Sequence, residues 1–397
     1  MIKMNPTQVL ALLLPQGKQK AKGNDPLRHI ATFGNADEDI YLFGNSKGGV
    51  MTTAFDATII GTWEGESGEI PPALEDMLQE YANEVEWMER VGESIPTQTE
   101  APAKAPSKPR QSIPMMLGTK WSQKAPYNDM CIFEGKRCVT GCNATATAQI
   151  MFYWREYHRG CKPTDSYITS TNGYEVEALP AKIVFDYNNL VAKPKTDEQK
   201  KAVAELMAYI GRSLHSNYTP SSTGAYTSKV AELLKDNLRM GSFVSYITAA
   251  KLGLKSFENY IYNELLQGRP VIVGGHLDSG SGGHAFIIDG YDAEQDLYHV
   301  NWGWGGSYDG WFKLSALNPT SSYHFNSRKD AVIGIQPEYK LGDINGDGEI
   351  NVTDVMQVVQ DANQGKYSDK ADINNDGQVT VTDAMLILDK VLGRADL

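Results

Sequence analysis

A cysteine that follows a glycine and opens an alanine-rich run, Gly141-Cys142-Asn143-Ala144-Thr145-Ala146-Thr147-Ala148-Gln149-Ile150-Met151, has the setting of a nucleophile. Alanine favours a helix here, and the N-terminus of a helix favours negative charge. A thiol held there beside a cationic histidine falls from its ordinary pKa of about 8.5 to below neutrality, and the thiolate is the form that attacks. An arbitrary cysteine is a buried apolar residue, so the assignment depends on its partners. Among seven histidines, His284 in Gly282-Gly283-His284-Ala285-Phe286-Ile287-Ile288-Asp289-Gly290-Tyr291 stands at the mouth of an apolar strand, where a general base has fixed geometry. His276 leads into the Ser/Gly stretch 279–283 and is expected in a loop, and His299 reads as an ordinary strand residue. Asn301-Trp302 follows 17 residues after His284. An amide accepting the imidazole N–H would fix the ring, and an indole laid over that bond would keep water from it. The plainer reading is aromatic core with turn glycines. Gln123, in Trp121-Ser122-Gln123-Lys124-Ala125-Pro126-Tyr127-Asn128, could join the Cys142 backbone N–H in holding an oxyanion; taken alone it would be a surface amide.

A second chemistry lies in the tail. Asp343-Ile-Asn-Gly-Asp-Gly-Glu-Ile-Asn-Val-Thr-Asp354 returns 29 positions later as Asp372-Ile-Asn-Asn-Asp-Gly-Gln-Val-Thr-Val-Thr-Asp383. Oxygen-bearing residues fall at loop positions 1, 3, 5, 7, 9 and 12: Asp343, Asn345, Asp347, Glu349, Asn351 and Asp354, then Asp372, Asn374, Asp376, Gln378, Thr380 and Asp383. Gly348 and Gly377 occupy position 6, where the loop must turn sharply. This is the ligand set of a hard divalent cation, and it predicts two Ca²⁺ sites, with position 7 contributing its carbonyl.

These groups need elements to hold them. A chain of 397 residues exceeds one ordinary core and implies two or three units. Hydrophobic residues at 41% and charged residues at 22% describe a folding chain. Residues 1–94 read as a small α+β domain: Ile40-Tyr41-Leu42-Phe43 and Val50 to Phe55 form a hairpin, and Leu74, Met77, Leu78, Tyr81, Val85 and Met88 form the apolar face of a helix opened by Pro71-Pro72. The apolar stretch Val9 to Leu14 reads as a short helix or the start of a processed chain, since it is too short and poorly flanked for a signal peptide. Residues 95–112 hold four prolines and read as an exposed, cleavable linker, with Lys104, Lys108 and Arg110 as basic cleavage points. Residues 113–338 make one enzyme-sized domain. Helical patterns after Cys142 and over Ala202 to Leu238 precede strands at Val271 to Val273 and Ala285 to Ile288, which indicates α+β segregation. Residues 341–397 carry 11 acidic and 4 basic residues, over half of the net charge of −12. That balance removes the electrostatic basis for nucleic-acid binding, and no apolar run is long enough to span a membrane. Four cysteines are too few for a disulfide scaffold. A 131–138 bridge, a 138–161 bridge, oxidative capture of Cys142, and reduced, packed thiols all remain open.

The order Gln, Cys, His, Asn-Trp resembles papain-type cysteine peptidases. The blocks W-S-Q-x-x-P-Y-N, G-C-x-A-T-A-x-A-Q-I-M, G-R-P-V-I-V-G-G, G-G-H-A-F-I-I-D-G-Y and V-N-W-G-W-G-G resemble the streptopain family specifically. The hairpin and the Pro71-Pro72 helix are similar to that family's inhibitory prodomain. The resemblance implies a papain-like fold and a secreted or surface-associated bacterial endopeptidase made as a zymogen. Its roles would be Cys142 as nucleophile, His284 as base and then acid, Gln123 as oxyanion donor, and Asn301 with Trp302 as orienting and shielding pair. It further implies a substrate cleft that includes Ser222, Gly224, Ala225 and Gly283, accepts an apolar side chain before the scissile residue, and needs no catalytic cofactor. Asn143 departs from the family, which more often has valine there. The tail, with Asp at position 12 and one helix per loop, resembles a type I dockerin, an all-α module whose partner would be cohesin-like; a partnerless Ca²⁺-stabilised appendage is the alternative. The rival functions are an inactive papain-fold protein acting in assembly, and acyl transfer to an amine by the same residues.

Overall fold

A computed structural model describes residues 3–13, 25–34, 39–54, 57–66, 68–71, 109–155, 161–181, 185–238, 240–276, 283–314, 329–337, 341–345, 349–368, 370–374 and 376–395, together with helical residues 74, 75, 77–79, 81–83 and 85. Its principal helices are α1 (Pro6–Leu13), α2 (Cys142–Tyr153), α3 (Asp197–Ser213), α4 (Thr227–Glu232), α5 (Ala249–Leu252), α6 (Leu254–Leu266), α7 (Val352–Asn363) and α8 (Val381–Val391). The strands are β1 (Arg28–Phe33), β2 (Ile40–Asn45), β3 (Gly48–Thr53), β4 (Ile59–Glu64), β5 (Ile132–Phe133), β6 (Lys136–Arg137), β7 (Tyr167–Ile168), β8 (Glu175–Val176), β9 (Ser245–Thr248), β10 (Val271–His276), β11 (Gly283–Asp292), β12 (Leu297–Asn301), β13 (Gly310–Phe312) and β14 (Asp330–Ile333). No helix among the described residues is long and apolar enough to cross a membrane. The chain folds as two units that cut across linear order, residues 1–118 with 247–331, and residues 119–246 with 332–397.

The first unit is built on a sheet. The expected hairpin is present as β2 and β3, joined tightly through Ser46 and Lys47, and it is buried on both faces, with Ile40, Leu42 and Met51 on one and Tyr41, Phe43 and Val50 on the other. Two strands that the sequence pattern had not revealed flank it, β1 and β4. The sheet then runs β1-β2-β3-β4-β13-β12-β11-β10 before continuing through β14 and β9. The N-terminal strands therefore pair with the later ones: Trp63 lies opposite Gly310, Thr62 opposite Trp311 and Gly61 opposite Phe312. Glycine allows this approach, since a Cβ on Gly310 would stand 2.1 Å from the Thr62 carbonyl oxygen and one on Gly61 would stand 2.6 Å from the Phe312 ring. Helix α6 buries Phe257, Ile261 and Leu265 at fourfold spacing.

In the second unit α2 packs on α3. Helix α3 starts with a capping box, in which the Thr196 hydroxyl accepts the Gln199 N–H and the Gln199 side chain accepts the Thr196 N–H. The helical pattern expected to run from Ala202 to Leu238 is broken: α3 ends at Ser213, and residues 214–226 form a loop before α4 and a wider π turn over Leu233–Asn237. The polar, glycine-containing stretch Ser216 to Ala225 cannot continue an amphipathic face, so the pattern resumes in a separate helix. Cys131, Cys138 and Cys161 are buried, and no disulfide joins them, so neither the 131–138 nor the 138–161 bridge is formed. In the tail, α7 and α8 each follow one loop and share a core of Leu341, Val358, Ala371, Ile373, Ala384 and Ile387.

Candidate active site

Cys142 is the first residue of α2, and Gly141 before it has φ 91° and ψ 147°. A side chain at position 141 would be strained by that φ and would come within 2.9 Å of the Thr223 carbonyl oxygen. The glycine thus lets the start of the helix lie against the 222–225 segment, which the sequence marked as substrate cleft. Asn143 locks the same contact, since its amide donates to the Ala225 carbonyl at 2.8 Å. The departure from valine therefore has a structural role: it ties the residue after Cys142 to the 222–225 segment. The bridge Asn217–Gly224 closes the loop, and Thr219 holds it by donating its hydroxyl to the Ser222 carbonyl at 2.7 Å and accepting the Ser222 N–H at 2.9 Å. Thr145 anchors the helix start from within, its hydroxyl donating to the Gly141 carbonyl at 3.0 Å.

Gln123 belongs to the same unit. Its carbonyl accepts the Thr140 N–H at 3.1 Å, two residues before Cys142, which couples the candidate oxyanion donor to the loop that leads into Cys142. The neighbouring Trp121 is fully buried and donates its indole N–H to the Val191 carbonyl at 3.0 Å, fixing the segment from the other side.

Gly283, His284, Asn301 and Trp302 lie in the first unit. His284 is the second residue of β11 and sits opposite Gly275 of β10. It is half-buried, and desolvation pushes its pKa below the ordinary value, so the ring is biased toward the neutral form a proton acceptor needs. His276 was expected in a loop, but it ends β10 opposite Gly283; the two glycines before it do not break the pairing, because β11 supplies their ladder partners.

Asn301 lies on β12, the strand paired with the β11 strand that carries His284. Asn301 pairs with Ile287, and side chains alternate along a strand, so Asn301 shares a face with Ala285 and Ile287, while His284 shares the other face with Phe286. The Asn301 amide oxygen accepts the Gly303 N–H at 3.0 Å. Trp302 is the residue on the His284 face: its indole packs on Phe286 at 4.9 Å and on Phe312 at 5.2 Å. The following turn holds it, because Tyr308 accepts its indole N–H at 2.9 Å and Asp309 accepts its backbone N–H at 3.0 Å.

Asp289 escaped the sequence reading. Within Ile-Ile-Asp-Gly-Tyr it looks like a turn acid, yet it is fully buried, accepting the Met116 and Leu117 N–H groups at 3.0 and 2.6 Å and pairing with His299 Nδ1 at 2.5 Å. His299 is thus the strand residue anticipated, with a polar task. The signal was present: an acid that directly follows a run of strand-forming apolar residues, Ala285 to Ile288, must find partners if it is buried.

In the tail, Asp354 and Asp383 repeat one network. Each carboxylate accepts two N–H groups from the start of its loop, Ile344 and Asn345 at 2.8 and 3.2 Å, or Ile373 and Asn374 at 2.8 and 3.2 Å. Asp372 accepts the Asp376 and Gly377 N–H groups at 3.1 and 3.0 Å. Asn351 and Thr380 cap their helices, accepting the Thr353 and Thr382 N–H groups at 2.9 and 3.2 Å. Asn345, Glu349, Asn374, Asp376 and Gln378 line the loops, and Asp343 is buried; Asp347 and Gly348 lie outside the described residues. Carboxylate and amide oxygens recur at the same loop positions in both repeats, and this all-oxygen donor set fits a hard cation such as Ca²⁺.

Residues 121–312 match the Peptidase C10 family and residues 341–392 match the dockerin type I domain, a calcium-binding module. Streptopain from Streptococcus pyogenes serotype M28 is 36% identical over 245 residues, covering 55% of this chain and 61% of that protein, so the chain spans less than two thirds of this curated relative. A Prevotella intermedia prointerpain A structure superposes with a TM-score of 0.66 at 27% identity, covering 79% of this chain and 99% of that one. The active interpain A cysteine protease of the same organism gives a TM-score of 0.50 at 31% identity, covering 57% of this chain and 95% of that one. The fold and site define a papain-like cysteine peptidase domain preceded by a prodomain. The chain carries a Peptidase C10 family domain over residues 121–312 and a C-terminal type I dockerin domain over residues 341–392.

Proposed function

We propose that the chain is a secreted or surface-associated cysteine endopeptidase, made as a zymogen and equipped with a Ca²⁺-binding module for attachment. The observation that carries this reading is Cys142 at the N-terminus of α2, fastened by Gly141 and Asn143 to the 222–225 segment, within a domain that matches a peptidase family. In the proposed reaction His284 takes the Cys142 thiol proton, the thiolate attacks the peptide carbonyl, and the Cys142 N–H and Gln123 amide hold the oxyanion. His284 protonates the leaving amine and then activates the water that releases the acyl group. Trp302 shields the face of β11 that carries His284.

The pairing of β4 with β13 supports self-inhibition. Trp63 stacks at 4.9 Å on Tyr308, and the Tyr308 hydroxyl donates to the Gly68 carbonyl at 3.1 Å, so the N-terminal domain grips the turn that holds Trp302. For the tail we assign two Ca²⁺ ions, one per loop, held by the residues at positions 1, 3, 5, 7, 9 and 12. A cohesin-like partner is supported by an apolar face repeated with the 29-residue period: Val352 and Val381 are 56% and 57% exposed, Met356 and Met385 67% and 60%.

The test is Cys142→Ala. Hydrolysis of a casein-type substrate and self-cleavage should both fall to background while the chain stays folded; hydrolysis at the parent rate would remove Cys142 as nucleophile.

A further inference from the structure

The downstream end of the proline-rich segment is docked on the first unit, contrary to the expectation that Arg110 is an open cleavage point. The Arg110 guanidinium lies over the Tyr262 ring at 4.7 Å and the Tyr291 ring at 5.5 Å. Its two terminal nitrogens donate to the Tyr298 hydroxyl at 3.0 Å and the Asn259 amide oxygen at 2.6 Å, and Asp296 stands 4.0 Å away. Helix α6, strand β11 and strand β12 all contribute to this box.

The residues after it are paired one by one. Gln111 donates its N–H to the Tyr262 hydroxyl at 2.8 Å, Ser112 accepts the Ala293 N–H at 2.9 Å, and Ile113 exchanges two backbone bonds with Tyr291 at 2.7 and 2.9 Å. Met116 and Leu117 complete the strap on Asp289. A protease must draw the scissile segment into its own cleft with free backbone groups, so cutting at Arg110–Gln111 requires these bonds to open first.

We propose that Arg110 is the anchor that sets the downstream limit of the excised segment and, once that segment is gone, holds the new N-terminal strap of the peptidase on β11. Chain termini fray unless tied down, and the strap lies along the strand whose other end carries His284. Arg110 thus acts as a positioning residue. A planar fork that stacks on two rings and bonds two acceptors at once needs arginine, and lysine cannot reproduce it. The inference takes its meaning from the zymogen reading, but its first test requires no activity.

Full-length Cys142→Ala protein, which does not cut itself, is treated with trypsin in the native state and followed by intact mass. Within residues 95–112, trypsin can cut after Lys104 and after Arg110, because Lys108 precedes Pro109. Cleavage at Lys104–Ala105 with Arg110–Gln111 left whole is expected, and cleavage after position 110 should speed up at least tenfold when Arg110→Lys is added. Equal cutting at both bonds in the Cys142→Ala protein, or unchanged protection after Arg110→Lys, overturns the anchor. In the self-processing chain the mature N-terminus should lie at or before Arg110; an N-terminus at Gln111 or beyond also overturns it. Failure of the peptidase reading itself would leave the trypsin result unchanged, so the two are separable.

Discussion

Two asparagines carry opposite lessons at the scale of single residues. Asn143→Val restores the side chain expected from the family. It removes the bond to the Ala225 carbonyl and also a buried amide oxygen that has no partner, so the two losses offset to within about 1 kcal/mol. Stability should barely move, while the released 222–225 segment should change the preference for the residue before the scissile one severalfold in kcat/KM. A panel of peptides differing only at that residue checks it, and an unchanged preference would refute a role for Asn143 in shaping the cleft. Asn301→Ala should cost about 1–3 kcal/mol, because the Gly303 N–H loses its acceptor, with kcat held within tenfold. A thousandfold loss of kcat at unchanged Tm would instead assign Asn301 the ring-orienting role expected from the family resemblance. Cys142 and His284 were legible because glycine, cysteine and a helix-forming run, or glycines and an apolar strand, are local signals. The partners of Asn143 and Asp289 lie 82 and up to 173 positions away, a distance no spacing rule reaches.

At the scale of elements, α6 brings Glu258 beneath the first unit's sheet, near Asp296, Lys329, Arg110 and Lys313. Burial first, and then the Asp296 charge, push its pKa up to about 7 from 4.5. The folded-state pKa exceeds the unfolded one, so the contribution of the neutral acid is complete below about pH 4.5 and is lost as pH rises through about 7. One proton bounds the slope at about 1.4 kcal/mol per pH unit. In a Cys142→Ala background, Glu258→Gln should therefore flatten the fall in Tm between pH 5 and pH 8; parallel curves for the two proteins would show that Glu258 does not titrate in that window. The sequence made β10 and β11 visible through Val271 to Val273 and Ala285 to Ile288, which are buried on both faces and read as continuous apolar runs. It hid β4 and β13, whose pairing depends on the glycines at 61 and 310. Glycine weakens a strand signal at the same positions where it permits the close approach.

For the whole molecule, charge and modularity are one question. The tail holds most of the net charge of −12 and buries Asp343, Asp354, Asp372 and Asp383 beside a small core. An ion that binds only the folded loops stabilises them by about 2.7 kcal/mol at a hundredfold excess over its Kd. The twelve candidate loop positions stand out because an EF-hand-like ligand set is contiguous in sequence, whereas the repeated exposed pair of valine and methionine acquires meaning only once α7 and α8 show which side of each helix is covered. Chelation should therefore make residues 341–397 sensitive to added protease, and Ca²⁺ should restore resistance. Asp343→Ala combined with Asp372→Ala should abolish that restoration, while hydrolysis of a small peptide by the processed enzyme stays within twofold, since no group of the candidate catalytic site lies in the tail. Calcium titration followed by limited proteolysis and intact mass separates the cases. An unaltered titration in the double variant would refute the loop assignment, and a parallel loss of peptide hydrolysis would show that the module supports the catalytic domain as well as itself.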